Sequence, residues 1–381
     1  MQLDDDFSNP YHRRSMMQQK YKELVQKTRE AEQHLSEFAL RKKAPKESFS
    51  TMSLPFSTQP NLRNNYSSMD KYVRIGRILE DFDWFAALIA YKHADGFSQH
   101  RPVYIVTACV DRIDLKHPPT IEDDLFFEGW VTWVGNSSME VRIEAKAKDI
   151  QVMEAYFVMV ARTKDHKSAP VHQLLINNTE DEIHYQAGER NQERRKRASV
   201  NSLSLKPPNE RETSLIHEFF KEEEKRRRGF EIQDISTATM NSTLLTNSRL
   251  LHPQNKNTHG KIFGGYIMRE GIELAYCAAA WHSKSRPMFM SLDDNYFMKA
   301  VEINSFMTVT ARVAYTVGEF CVVRVEAMYI KPPRGDKEFT NLFHFTFRVS
   351  DEQPKVVPES YVDAMYYLSA KRVFEKGSSA V

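Results

Sequence analysis

Apolar residues in this chain fall into two long blocks with the same internal order. Over residues 77–93 they recur at Ile78, Leu79, Phe82, Phe85, Ala86 and Ile89, a spacing that predicts a helix with one broad buried face. Apolar runs at 103–110, 125–134, 139–147 and 155–161 predict strands, and Gly135-Asn136-Ser137 predicts a hairpin turn between two of them. The order then returns. A strand is predicted over 242–252 and a helix over 266–282, entered through Gly264-Gly265. Further strands are predicted over 289–296, 306–315, 320–330 and 341–349.

The two blocks match locally as well. Val141-Arg142-Ile143-Glu144-Ala145 stands against Val323-Arg324-Val325-Glu326-Ala327, each after an aromatic-ended strand and a glycine turn. Duplication accounts for that shared order. One long helix with several antiparallel strands, twice, is an α+β architecture in which each sheet wraps its own helix. The expected domains are 71–163 and 236–375. Residues 1–70 form an extension, helical over 21–40 and flexible over 48–68. Residues 164–235 form a charged linker with a short helix near 210–228, and 376–381 are a tail.

Composition narrows the function. The chain has 381 residues, enough for two domains and linkers. Its 53 basic and 51 acidic side chains nearly cancel, which argues against a dedicated nucleic-acid binder. The basic runs at 193–197 and 225–228 are read as solvated linker, with a localisation or nucleic-acid signal as the alternative. Cys109, Cys277 and Cys321 sit in apolar stretches without a CxxC pair and are expected to be buried thiols in a reducing compartment. No apolar run approaches the roughly 18 residues of a membrane span. The opening Met1-Gln2-Leu3-Asp4-Asp5-Asp6 lacks the apolar core of a signal peptide and fits an acid-poor transit peptide poorly.

Several chemistries have no motif here: GxSxG, Walker A, GxGxxG and metal-ligand spacings are absent, and His252, His259 and His344 are scattered. One segment does suggest chemistry. Asn257-Thr258-His259-Gly260-Lys261-Ile262-Phe263-Gly264-Gly265 runs straight into a helix. Paired glycines permit close approach to the backbone, and a helix N-terminus can polarise a carbonyl or hold an oxyanion. A helix start against a crowded sheet would explain the glycines equally well.

The run Asn-x-x-Gly-x-x-Phe-Gly-Gly-x-x-Met resembles the active-site approach of hotdog-fold acyl-CoA thioesterases. With Ser285-Arg286-Pro287, Asp293-Asp294 and Asn341-Leu342-Phe343-His344-Phe345-Thr346-Phe347, it resembles the mitochondrial acyl-CoA thioesterase 9 family in particular. The resemblance covers 72–162 and from about 210 to 374. It implies two tandem hotdog domains, hydrolysis of fatty acyl-CoA to free acid and coenzyme A, and one active site between the domains. It also implies assembly into a homo-oligomer, such as a trimer of double-hotdog chains.

In that superfamily an Asn before the glycine turn works with an acid about two turns into the helix of the opposite domain. Asn257 matches the Asn, but the acid position of its own half is Ile272. Setting Ile75-Gly76 against Gly264-Gly265 puts Asp83 at the acid position of the first half, whose Asn position is Ser68. Asp83, Asn257 and the Gly265 N–H are therefore the implied catalytic set, and Ser68 with Glu273 the degenerate one. Asp83 would activate water or attack directly to give an anhydride. His259, Lys261, Phe263, Gly264 and Arg286 would contact the substrate. No metal or cofactor is implied. Two other readings stay open: an acyl-CoA sensor without catalysis, and a hydroxyacyl-thioester dehydratase using His259. The resemblance points to mitochondria, and the N-terminus leaves the cytoplasm as the alternative.

Overall fold

The computed structural model describes Gln26 and residues 39–96, 98, 102–228, 236–255, 257, 260–332 and 335–378; the side chains of Asp70 and Asp294 are not described. The helix expected over 21–40 therefore lies almost wholly outside the described residues. The chain divides into two compact units, Met1–Asn191 and Gln192–Val381. No helix among the described residues is long and apolar enough to cross a membrane.

In the first unit, β1 (Ser50–Leu54) and α1 (Pro60–Tyr66) precede the long helix α2 (Ile75–Ala94). Then come β2 (Tyr104–Leu115), β3 (Leu125–Val134), β4 (Ser138–Ala147) and β5 (Ile150–Arg162), followed by α3 (Thr179–Val200). The five strands are antiparallel in the order β1-β3-β4-β5-β2. The predicted face of α2 is the one buried: Ile78, Leu79, Phe82, Phe85, Ala86 and Ile89 are all sealed from solvent. Phe82 meets Phe127 of β3 edge-on at 5.1 Å. Burying each of the large side chains among them contributes about 1.5–3 kcal/mol.

The second unit repeats the plan. Its elements are α4 (Glu210–Arg227), β6 (Leu245–Leu250), α5 (Gly264–Ser283), β7 (Met288–Phe297), β8 (Phe306–Val317), β9 (Phe320–Lys331), β10 (Asp336–Arg348) and α6 (Tyr361–Ser378). The strand order is β6-β8-β9-β10-β7, again antiparallel. Arg142 faces Tyr156 in the first sheet and Arg324 faces His344 in the second, so the β4–β5 and β9–β10 pairs share one register. Each unit is the hotdog arrangement that the resemblance implies, an antiparallel sheet around one central helix.

The two units also close their helices alike. α2 ends at Asp95 and α5 at Lys284, both with positive φ. His93 Nε2 bonds the carbonyl of His172 at 2.8 Å, and His282 Nε2 bonds that of Pro354 at 2.8 Å. In both, the central helix is tied to the segment that leaves the last long strand.

Three expectations need correction. Residues 48–68 are not a flexible connection: β1 pairs with β3 from Ser50↔Gly129 to Leu54↔Leu125. Their few apolar side chains, Leu54, Phe56, Leu62 and Tyr66, are all buried, and Phe56 packs on Tyr66 at 5.2 Å. A polar composition hid a small but fully used apolar set. The linker holds more helix than the one predicted near 210–228. α3 runs 22 residues, and its Gly188 lets the helix lie directly on Trp133, because a Cβ there would meet Trp133 Cβ at 2.3 Å. Third, Cys109 and Cys321 are buried but Cys277 is exposed. It lies on α5 one turn beyond Glu273, away from the buried side of Ile272. Burial pushes the Cys321 thiol up to about 12.

The helix α6 was not predicted. It covers the outer face of the second sheet, with Tyr366 stacked over Arg324 (4.0 Å) and Arg312 (5.2 Å). Strands β8 and β9 are therefore buried on both faces, which explains their nearly continuous apolar runs. α4 docks on α6 through Phe219–Tyr367 at 4.9 Å and a two-pronged Arg372–Glu212 ion pair, both contacts 2.6 Å.

Candidate active site

The loop before each central helix is built the same way. In the second unit Asn257 N–H donates to Lys261 O (2.6 Å), Ile262 N–H to Val301 O (2.8 Å) and Phe263 N–H to Asn255 O (3.2 Å). In the first unit Ser68 N–H donates to Tyr72 O (2.9 Å), Val73 N–H to Pro119 O (2.9 Å) and Arg74 N–H to Tyr66 O (2.7 Å). The bonds correspond one to one, so Ser68 occupies the Asn257 position. The turn needs a left-handed residue: Gly260 has φ +73° and Lys71, its counterpart, φ +64°.

Asn257 does more than close this loop. Its Oδ1 accepts Lys261 N–H at 3.1 Å. That bond assigns the amide oxygen and turns Nδ2, the donor, the other way. Ser68 is exposed at the start of a short turn and makes no side-chain cap. The N-cap residue Phe263 likewise offers no capping oxygen to α5. Gly264 and Gly265 thus stand in the first turn, at the positive end of the helix dipole.

The acid position differs between the units. Asp83 is wholly buried on α2, and Thr107 Oγ1 on β2 donates to its Oδ1 at 2.6 Å. A carboxylate held by a hydroxyl in a dry setting has a fixed plane, as a general base or nucleophile requires. Sequence reasoning missed Thr107. The signal was available only through register: Thr107 faces Met159, and Phe289 faces Phe347 at the equivalent place. The second unit therefore carries Ile272 and Phe289 where the first carries Asp83 and Thr107. Both are buried and apolar.

The remaining predicted residues are accounted for individually. Glu273 is half-buried on α5, on the Cys277 side, and corresponds to Trp84 of α2. Lys261 reaches Glu302 at 3.4 Å, a carboxylate that Lys331 also holds at 2.6 Å. Arg286 is exposed, Phe263 and Gly264 are half-buried, and Gly265 is buried. His259 lies outside the described residues. Among the described residues no group of three or more His, Cys, Asp or Glu side chains could hold a metal.

One further carboxylate on each central helix is buried. Asp81 Oδ2 accepts the Tyr66 hydroxyl at 2.6 Å, and Glu270 is paired with Arg249 Nε at 2.6 Å. Each lies five residues after the helix glycine (Gly76, Gly265) and ties the helix to the segment before it.

Comparison with known proteins gives a consistent assignment. The thioesterase superfamily model matches residues 76–154. Mouse mitochondrial acyl-coenzyme A thioesterase 9 is 36% identical over 347 residues, covering 88% of this chain and 79% of that protein. A mitochondrial acyl-coenzyme A thioesterase 4 from Humulus lupulus is 34% identical, covering 82% of this chain and 62% of that one. Among solved structures, an acyl-CoA hydrolase from Staphylococcus aureus is similar at 24% identity with a TM-score of 0.36, over 38% of this chain and 92% of that chain. With a thioesterase-fold first unit, a repeated second unit and relatives at this identity over most of its length, the chain belongs to the acyl-coenzyme A thioesterase family.

Proposed function

We propose that this protein hydrolyses fatty acyl-CoA thioesters to free acid and coenzyme A, with a single working catalytic set. Asp83 and Thr107 come from the first unit, and Asn257 and the Gly265 N–H from the second. The observation that carries the reading is the buried Asp83 carboxylate held by the half-buried Thr107 at 2.6 Å, set against apolar Ile272 and Phe289 in the sister unit. Each unit keeps the part of the set that the other lacks. Ser68 and Glu273 are the remnant of a second set.

The chemistry follows from these groups. Asp83 takes a proton from water, whose oxygen attacks the thioester carbon. Charge develops on the carbonyl oxygen, and the first-turn N–H at Gly265 stabilises it. Asn257 orients the water or the carbonyl through Nδ2. The carbon–sulfur bond then breaks and the proton passes to sulfur, leaving the acid and the coenzyme A thiol. Thr107 keeps the Asp83 carboxylate in one plane throughout. The reaction needs no metal or cofactor, since a thioester is already activated.

His259, Lys261, Phe263, Gly264 and Arg286 are assigned to contact with the substrate. The protein is read as mitochondrial, because relatives such as mouse acyl-coenzyme A thioesterase 9 carry that name, and as a homo-oligomer, a trimer of double-hotdog chains. Release of free thiol from acyl-CoA of several chain lengths tests the activity. Saturable acyl-CoA binding without thiol release would favour a sensor instead. Formation of an enoyl thioester would favour a dehydratase.

A further inference from the structure

Two asparagines stand on the inner face of the second sheet, where the first sheet has apolar side chains. On β7, Asp293 faces His344 and Tyr296 faces Leu342, with a bulge between them. Tyr296 shares the outward register of Leu342, so Asn295, one residue earlier, points to the α5 side. On β10, Asn341 lies two residues before Phe343, whose ring packs against Gly271 of α5, so it points the same way. Both asparagines are completely buried.

Their hydrogen bonding is incomplete. Asn341 Nδ2 donates to Tyr296 O at 3.2 Å. Among the described residues, Asn341 Oδ1 and both amide atoms of Asn295 have no partner. The equivalent residues of the first unit are Ile113 and Met153, also completely buried. An apolar pair therefore satisfies this fold at these positions, and unpaired buried amides work against it. Bulges commonly re-aim a side chain beside a functional site, and this one turns Asn295 inward.

The place along the helix is also informative. Phe347 packs on Tyr276, and Phe343 on Gly271. Each inward step back along β10 therefore moves toward the start of α5. Asn341 is the next such step, on the Gly264-Gly265 side, the end assigned above to the thioester carbonyl.

We propose that Asn295 and Asn341 form an acyl-recognition subsite for a hydroxyl group near the thioester, so that the substrate class includes hydroxyacyl-CoA thioesters. An amide offers a donor and an acceptor, and a hydroxyl answers both. The inference rests on the thioesterase reading.

The test follows thiol release by the full chain from hexanoyl-CoA and 3-hydroxyhexanoyl-CoA. The wild type should favour the hydroxylated substrate in kcat/KM. Asn295→Ile and Asn341→Met, which install the sister residues, should lower the hydroxyl-to-plain ratio by about 10–100-fold. A ratio unchanged in both variants overturns the subsite and leaves the amides holding buried water. Because the wild-type preference needs no variant, a wild type that favours hexanoyl-CoA also overturns it. Absence of thiol release from either substrate would sink the thioesterase reading together with the subsite.

Discussion

Thr107 donates a 2.6 Å hydrogen bond to Asp83 in the first unit, and the same two positions in the second unit are Phe289 and Ile272. One repeat has an oriented, buried carboxylate, while the other has core residues at both positions. The two differences go together: without the acid, a hydroxyl in that place would be a buried group without its acceptor.

Removing the hydroxyl in the first unit should reproduce half of that difference. Thr107→Val is expected to lower kcat by about 10–100-fold, because the carboxylate loses the donor that fixes it. Thr107→Ser should recover most of the rate. Steady-state kinetics of the two variants would check this, and wild-type kcat in Thr107→Val would refute the orienting role.

The turn at Gly260 should be intolerant of side chains. Its φ of +73° lies in the left-handed region, and nothing among the described residues within 4 Å would crowd an added Cβ. Gly260→Ala should therefore destabilise by roughly 1 kcal/mol through backbone conformation alone. It should also disturb the Asn257 geometry that the turn supports. Chemical denaturation alongside activity would measure both effects.

Gly188→Ala should destabilise despite the better helix propensity of alanine. The added Cβ would meet Trp133 Cβ at 2.3 Å, which forces α3 off the sheet. Propensity favours the change by about 1 kcal/mol, and overpacking opposes it by about 1–3 kcal/mol. A net loss in denaturation midpoint is expected. A gain would mean that α3 moves away freely.

Stability should fall on mild acidification. Burial pushes the His93 imidazole down to about 4 and, with the neighbouring Arg324 charge adding to it, His344 down to about 3. Both are neutral in the fold, and the His93 ring has an Nδ1 without a partner among the described residues, which a proton would strand. Below about pH 6.5 the unfolded chain binds protons that the folded chain refuses, so folding loses roughly 1.4 kcal/mol per pH unit for each such histidine. Their contribution is constant above about pH 6.5 and declines from there to about pH 4 for His93 and about pH 3 for His344. Denaturation midpoints should fall across that range, and His344→Gln should lessen their dependence on pH.

How much of this was readable beforehand varies with the physical signal. The central helices and the eight long strands were legible because an apolar face at 3.6-residue spacing, or a run buried on both sides, leaves a dense pattern. Asn257, Ser68 and Ile272 were legible through the internal repeat, and the matched loop hydrogen bonds of Asn257 and Ser68 make that alignment structural. β1 and α1 were not, since only Leu54, Phe56, Leu62 and Tyr66 carry them among polar neighbours. α3 escaped because its composition is that of a solvated helix and its contact with Trp133 depends on one glycine. Thr107 could not be found from spacing, because its link to Asp83 crosses from strand to helix over 24 residues. Asn295 required the bulge to show which way it faces.

The most direct measurement is free-thiol release from acyl-CoA by wild type, Asp83→Asn and Asn257→Ala, with folding verified for each. The account predicts that both variants lose turnover, Asp83→Asn by about 10²–10⁴-fold, while Glu273→Gln retains it. Full turnover in Asp83→Asn, or its loss in Glu273→Gln alone, would contradict a catalytic set built on Asp83 and Asn257.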